Sequence, residues 1–139
     1  MIKPIFNPQT KTRYLAILPS EFEIEPFQVS SIVLPSLSIK ETYDFFGFNT
    51  VRRGELEYSD CELDIISGEK NNPTKKLMES MKKRGSYDFR VELLDPLGMV
   101  ITDYKINGFI KSIQFDELKY GDDGLFKTKV TFGINNIHL

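Results

Sequence analysis

Alternating apolar and polar positions predict a chain built mainly from β-strands. The clearest run begins at Tyr87 and places a large apolar residue at every second position as far as Leu93. A period of two is typical of a strand that buries one face. The turn signal Asp95-Pro-Leu-Gly98 then leads into a second alternating run that ends at Ile106. We therefore predict a β-hairpin over residues 87–106.

Further strands are predicted before this hairpin. Tyr14 to Leu18 is a short apolar run that Pro19 ends, and a longer strand runs from Phe27 to about Leu34. Pro35 cannot donate a ladder hydrogen bond, so the longer strand is expected to lie at a sheet edge or to be bulged there. Between the two, glutamates alternate with Phe22 and Ile24 over residues 20–26, a pattern that indicates an exposed hairpin or edge strand.

The remaining alternating runs contain two interruptions of their parity. Residues 56–66 change parity near Ser59–Asp60, where we expect a bulge or break. A second slip is expected at Asn107-Gly108, with Phe109, Ile113 and Phe115 in the strand that follows. The last predicted strand contains Phe126, Thr128, Val130 and Phe132 on one face.

One short helix is predicted over residues 73–84. Asn72 can cap it, Pro73 suits its first turn, and Gly85 suits the position just beyond its end. Seven or eight strands with one helix predict a mainly β fold, an antiparallel β-sandwich or partly closed barrel. At 139 residues, the whole chain (1–139) is expected to form a single domain, with residues 1–11 as a flexible N-terminal arm.

Charge and cysteine content narrow the function classes. The net charge of −2 argues against a dedicated binder of duplex nucleic acid, since such binding needs a basic face. Cys61 is the only cysteine, so no intrachain disulfide is expected. The N-terminal residues lack the apolar run of a signal peptide, and no stretch is long enough to span a membrane. Folding in the cytoplasm is therefore expected.

No pattern of residues predicts catalysis. His138, the only histidine, is expected to be an ordinary tail residue, and Cys61 a small core residue rather than its nucleophilic partner. We expect no catalytic residues, no metal site and no cofactor, so an enzyme is not predicted. The cationic helix end 82–84 could touch phosphate, but a solvated helix face is favoured because the chain is close to neutral.

Residues 40–54 combine several aromatic side chains with no clear period, which predicts an extended loop or a protruding hairpin. Its aromatic residues either fold back over the core or pack on a neighbouring molecule, because a large exposed apolar patch marks an interaction site. From the residues alone, both alternatives stay open.

The order of these landmarks over residues 12–133 resembles tail tube proteins of contractile-tailed bacteriophages, and more distantly the tube proteins of type VI secretion systems. The landmarks are Arg13-Tyr-Leu-Ala-Ile-Leu18, the strand ending in Leu34-Pro35, the helix after an Asn-rich turn, Ile106-Asn-Gly-Phe-Ile110 and the closing strand Lys127 to Phe132.

The resemblance implies a structural subunit of a tail tube. Six copies would close into a ring, and stacked rings would enclose a channel for DNA during genome ejection. The implied partners are other copies of the chain, a sheath protein, and baseplate and terminator proteins, with DNA passing transiently. The implied location is the virion tail, assembled in the host cytoplasm.

Two groups of site residues accompany this resemblance. It implies that the loop 40–54 reaches the adjacent ring. The candidates for the channel lining are selected only for their negative charge, because the tube should pass DNA without gripping it. The expected inter-ring and inter-subunit contacts are Tyr43, Phe45, Phe46, Phe48, Val51, Arg52 and Arg53, and the candidate lumen residues are Asp88, Glu92 and Asp103.

Two alternatives remain. A baseplate tube-initiator or a tail-terminator ring protein would have the same fold. A monomeric barrel that binds single-stranded nucleic acid belongs to a different class and would use stacked aromatics with a basic groove. Its candidate residues are Tyr87, Phe89, Arg90, Lys127 and Lys129.

Overall fold

The computed structural model describes residues 9–43, 51–68, 72–121 and 124–139. Within these residues it contains eight strands, one α-helix and two short 3-10 turns, which confirms the predicted mainly β class with one helix. In chain order, the elements are β1 (Tyr14–Ile17), β2 (Val29–Val33), β3 (Leu37–Tyr43), β4 (Val51–Tyr58), β5 (Cys61–Ile66), α1 (Thr74–Lys83), β6 (Tyr87–Leu94), β7 (Val100–Phe115) and β8 (Lys127–His138).

Six of the strands form one antiparallel sheet in the order β1-β6-β7-β8-β5-β2. The sheet curls so that its two edge strands approach each other, and the Tyr14 hydroxyl donates to the Val29 carbonyl oxygen at 3.4 Å across the seam. Strands β3 and β4 pair only with each other and form a separate two-stranded ribbon. The fold is therefore the partly closed barrel that was predicted, with β2 at an edge.

The core lies inside the curled sheet. The alternating residues Tyr87, Phe89 and Val91 of β6 point inward, and the Phe89 ring lies 4.9 Å from that of Phe132 on β8, measured between centroids. The predicted alternation of both strands is confirmed. Other fully buried core residues are Cys61, Leu63, Ile65, Leu77, Ile106 and Val130.

The prediction of a hairpin or edge strand over residues 20–26 is wrong. The segment forms 3-10 turns at Ser20–Phe22 and Pro26–Gln28, and Glu23 adopts a left-handed backbone conformation with φ 54° between them. Phe22 and Ile24 are nevertheless both buried, and the Phe22 ring packs 4.9 Å from that of Tyr87. A turn that folds two apolar side chains inward between exposed glutamates produces the same alternation as a strand.

The helix covers Thr74–Lys83, one residue shorter at each end than the predicted 73–84, and Pro73 is its N-cap residue. The side-chain oxygen of Asn72 accepts a hydrogen bond from the Thr74 amide at 3.0 Å. At the other end, Arg84 and not Gly85 adopts the left-handed conformation, with φ 55°, and its amide donates to the Met81 carbonyl oxygen at 3.1 Å. A residue with a Cβ is disfavoured in this conformation by roughly 1 kcal/mol relative to glycine.

Two irregularities bend the long β7–β8 pair. The register shifts between Asn107 and Gly108 and again between Ile110 and Ser112. The parity of β7 itself changes only at the second shift, so Phe109 faces outward while Gly108 and Ile110 are buried, and Ile113 then faces the core. The predicted parity change at Asn107-Gly108 is therefore wrong: the pairing with β8 shifts register there, but β7 changes parity between Ile110 and Ser112. The last strand also continues past Phe132 to His138.

Substitution of Gly108 tests the close approach of β7 to β8 at this bend. A Cβ at Gly108 would lie 2.6 Å from the Gly133 carbonyl oxygen, a backbone atom that cannot move away without disturbing the pairing. We predict that Gly108→Ala lowers the free energy of unfolding by about 1–3 kcal/mol. Urea denaturation measures the change. The exposed neighbour Ser112→Ala is the control and should change stability by less than about 0.5 kcal/mol. Equal stability of the two variants would contradict the prediction.

Candidate assembly interface

The β3–β4 ribbon has one apolar and one polar face. Leu37 pairs with Tyr58 and Ile39 with Leu56, so these four side chains share a face. On the other face, Ser38 pairs with Glu57, whose carboxylate lies 4.0 Å from the Lys40 ammonium. Leu37, Ile39 and Leu56 are 59%, 53% and 56% exposed. An alternating pattern of this kind normally covers a core, yet in the single chain it faces solvent.

The two strands of the ribbon stay paired with each other down to its base. The Ser59 amide donates to the Ser36 carbonyl oxygen at 2.9 Å, and the Ser36 amide donates to the Ser59 hydroxyl at 2.6 Å. This base coincides with the predicted break near Ser59–Asp60, where the chain leaves the ribbon and enters β5. A two-stranded ribbon is at best marginally stable in water without a partner for its apolar face.

An apolar cleft of about 330 Å³ continues the exposed face into the barrel. Leu37 and Tyr58 belong to both the ribbon face and the cleft. The ribbon face and the cleft therefore form one continuous apolar surface, which we call the ribbon surface. The other cleft-lining residues are Leu34, Pro35, Tyr104, Ile106, Ile137 and Leu139.

The expected contact residues lie at the far end of this ribbon. Of the two alternatives for residues 40–54, the backbone forms a hairpin, with Tyr43 opposite Val51 and Arg52 and Arg53 opposite residues 42 and 41. Phe45, Phe46 and Phe48 lie outside the described residues.

Sequence reasoning missed the ribbon surface itself. The alternation of Leu37 with Ile39 and of Leu56 with Tyr58 was the available signal. It was missed because the preceding strand was predicted to end near Leu34 and residues 40–54 were interpreted as an extended loop or a protruding hairpin.

Both edges of the main sheet also remain unpaired. On their outer sides, β1 and β2 have no strand partner in the part of the chain that the structure describes, and a single side-chain hydrogen bond joins them across the seam. Unpaired strand edges present free amide and carbonyl groups that another chain can complete. The ribbon surface and these edges are therefore two features that association would satisfy.

The three candidate lumen residues share the outward face of the β6–β7 hairpin. Asp88 accepts a hydrogen bond from the Asn107 side-chain amide at 2.6 Å. The Arg90 guanidinium lies 3.7 Å from the Glu92 carboxylate and 3.8 Å from that of Asp103. Lys105 pairs with Arg90 and shares this face, which thus combines three carboxylates with two cations, a net charge of −1 for these five residues.

The structure removes the main support for a stacking platform. Tyr87 and Phe89, the proposed stacking residues, are buried at 8% and 2% exposure and point into the core. Arg90, Lys127 and Lys129 are exposed. The exposed Phe115 of β7 lines a cleft with the two lysines, but Asp64 and Asp116 line the same cleft and make it unfavourable for a phosphate backbone. A monomeric single-stranded nucleic-acid binder is therefore disfavoured.

Cys61 and His138 are placed too far apart to act together. Cys61 is fully buried opposite Phe132, and His138 lies six residues further along β8, about 20 Å away at the rise of a strand. Burial, with a smaller effect of Glu62, raises the pKa of the Cys61 thiol to about 12. The thiol therefore stays protonated at neutral pH, as suits a core residue.

The described residues contain neither a metal-ligand cluster nor a membrane-spanning helix. No group of three or more histidine, cysteine, aspartate or glutamate side chains is arranged to hold a metal ion. None of the described helices has both the length and the apolar character needed to cross a membrane.

Comparison with known proteins gives matches in structure but not in sequence. No protein-family model matches the chain, and no curated protein is significantly similar to it. The solved sheath/tube terminator of the PVC extracellular contractile injection system is 13% identical, with a TM-score of 0.76, and the alignment covers 97% of this chain and 98% of that one.

Two further solved structures extend this similarity. A chain of the six-fold symmetrised baseplate of the anti-feeding prophage is 12% identical over 96% of both chains, with a TM-score of 0.69. The SPP1 tail tube is 9% identical over 94% of this chain and 77% of that one, with a TM-score of 0.65. The resemblance to tail tube proteins is thus confirmed at the level of fold.

Proposed function

We propose that this chain is a structural, non-enzymatic subunit of a contractile tail tube. Copies would close into hexameric rings that stack around a channel for DNA. The ribbon surface is the observation that carries the proposal. This surface combines the apolar face of the amphipathic β3–β4 ribbon, which the described chain leaves exposed, with the open apolar cleft beside it.

Ring closure would satisfy the incomplete parts of the fold together. Burying large apolar side chains stabilises by roughly 1.5–3 kcal/mol for each one that passes fully from water into an interface. A closed ring would also pair or cover the edges of β1 and β2. We propose that Tyr43, Val51, Arg52 and Arg53, with Phe45, Phe46 and Phe48 between them in sequence, extend the contact to the adjacent ring.

The partners follow from the same proposal. The similar solved proteins come from a sheath/tube terminator and from a six-fold symmetrised baseplate. We propose that the tube of this chain is surrounded by a sheath and bounded by baseplate and terminator proteins. Its place would be the virion tail, after assembly in the host cytoplasm.

A tube-initiator or terminator is the second candidate. The solved structures with this fold include both a baseplate chain and a terminator, so fold similarity supports these roles as well. Electron microscopy of the purified protein separates the candidates, because a main tube protein forms long tubes and the others stop at single rings.

Matched substitutions on the two ribbon faces test self-assembly. We predict that Ile39→Lys abolishes rings and tubes, because it places a charge in the apolar contact. Ser38→Lys adds the same charge on the opposite face, beside Glu57, and should leave assembly intact. Negative-stain microscopy and sedimentation velocity measure the outcome, with circular dichroism to confirm folding. Equal assembly of both variants, or a wild type that remains monomeric at high concentration, would refute the proposal.

We also propose that Asp88, Glu92 and Asp103 line the channel. In assembled tubes, the cysteine of Asp88→Cys should react with a small maleimide but not with a maleimide on a large polymer, which cannot enter the channel. Glu79→Cys, on the exposed side of α1, is the control and should react with both reagents. Buried Cys61 should react with neither. Polymer labelling at position 88 would place this face outside the channel.

A further inference from the structure

The turn of the β6–β7 hairpin presents an uncharged apolar surface. From Pro96 to Ile101, six consecutive residues are exposed and none of them has a polar side chain. Leu97 and Met99 are 88% and 66% exposed, and Val100 and Ile101 are each more than half exposed. A run of this length is unfavourable on a free surface and is typical of a contact site. We call residues 96–101 the hairpin tip.

Backbone hydrogen bonds hold the hairpin tip in one conformation. The Asp95 amide donates to the Met99 carbonyl oxygen at 2.9 Å, and the Gly98 amide donates to the Asp95 carbonyl oxygen at 3.0 Å. Gly98 has a φ of 83°, a conformation that favours glycine. The pairing of Leu94 with Val100 continues the hairpin up to this turn. A contact made by a preorganised turn loses little conformational entropy on binding.

The apolar cleft of the ribbon surface matches the hairpin tip in chemistry and in size. The described residues that line the cleft include no charged side chain, and the tip has none either. A cavity of about 150 Å³ accepts a group the size of benzene. The cleft of about 330 Å³ therefore has room for side chains as large as Leu97 and Met99.

The hairpin tip and the cleft lie at the same end of the main sheet. Tyr104 lines the cleft and follows Val100 on β7 by four residues, about 13 Å at the rise of a strand. Ile137, near the end of β8, lines the cleft as well and pairs with Ile106 of β7. Two contact sites at one end of a sheet suit side-by-side packing of copies that point the same way, as in a ring.

A second copy is the occupant that covers both surfaces at once. The tip does not fill the cleft of its own chain, because the hairpin is paired up to the turn and the tip residues remain exposed. Tip-to-tip packing of two copies would leave both clefts uncovered. A chain with a protruding apolar group and a complementary pocket makes heterologous contacts, which form a ring when the rotation closes.

An anionic lipid surface suits the hairpin tip less well. The charged residues nearest to the tip in sequence are Asp95 and Asp103, and both are acidic. Attraction to anionic lipids needs lysine or arginine beside the apolar residues. The observations therefore favour another copy of the chain.

We propose that the hairpin tip of one copy inserts into the cleft of the ribbon surface of the next copy in the ring. Leu97 and Met99 then contact Leu37 and Tyr104, which line the cleft. The inference rests on the proposed self-assembly and adds the element that covers the ribbon surface. The contact is directional, because each copy gives its tip to one neighbour and its cleft to the other.

Two variants with matched exposure test whether assembly needs the hairpin tip. We predict that Leu97→Lys with Met99→Lys abolishes rings and tubes, because two charges would enter an apolar cleft. Leu118→Lys with Leu125→Lys is the control and should assemble like the wild type. These two leucines are 83% and 64% exposed and lie outside both the tip and the ribbon surface. Negative-stain microscopy measures assembly, and circular dichroism confirms folding. Should the tip variant misfold, Leu97→Ser with Met99→Ser provides the same comparison.

A mixing experiment tests whether the hairpin tip and the ribbon surface meet in the same contact. The tip variant and Leu37→Lys should each stay monomeric. Their equimolar mixture should form a dimer of the two, because the intact tip of the Leu37→Lys copy fits the intact cleft of the tip variant. Sedimentation velocity measures the dimer.

Three results would overturn the inference. They are a mixture that stays monomeric, equal loss of assembly in the leucine control, and normal tubes from the tip variant. Each leaves the proposed tube function standing if the wild type forms tubes, whereas a wild type that remains monomeric would refute both. Normal assembly of the tip variant with loss of binding to phosphatidylcholine vesicles would identify a membrane as the occupant of the tip instead.

Discussion

The structure depends on one uncovered surface: the β3–β4 ribbon has an apolar face that the described part of the chain leaves exposed. Leu37, Ile39 and Leu56 alternate as buried strand residues do, yet each is more than half exposed. Covering such a face gains several kcal/mol of hydrophobic free energy per subunit. The described residues of a single copy do not supply this cover, because β3 and β4 pair only with each other there. Association with identical copies is the simplest arrangement that covers this face.

The barrel core is complete within one chain although the edges of β1 and β2 stay unpaired, so assembly adds to a subunit that already has a packed core. Six strands close most of a barrel around Phe89, Phe132 and Leu63, and Phe22 completes that core from a turn. The bend at Gly108 and Gly133 brings the two longest strands around the core.

Local chemistry explains which parts of this structure could be predicted from the sequence. The 87–106 hairpin was predictable because Asp95 makes its own turn, accepting hydrogen bonds from the Leu97 and Met99 amides at 2.9 and 2.8 Å. The start of the helix was predictable because the Asn72 side chain likewise accepts a hydrogen bond from a nearby amide, that of Thr74. Each of these signals involves neighbours in the chain, so tertiary packing does not override it.

The failures have tertiary causes. Phe22 and Ile24 alternate with glutamates, but contact with Tyr87 decides that the segment turns inward instead of pairing as a strand. The left-handed Arg84 could not be anticipated beside Gly85. The ribbon surface became recognisable only once β3 and β4 were seen to leave the main sheet, since the same alternation in a buried strand would have no functional meaning.

Amide hydrogen exchange of the ribbon, measured from dilute to concentrated protein, tests the central claim most directly. If identical copies cover the ribbon, the amides of 37–39 and 56–58 exchange rapidly in dilute protein and become protected as rings form, while β6 amides are protected throughout. Strong ribbon protection already present in dilute monomer, unchanged on concentration, would show that the chain completes its own fold and would contradict the claim.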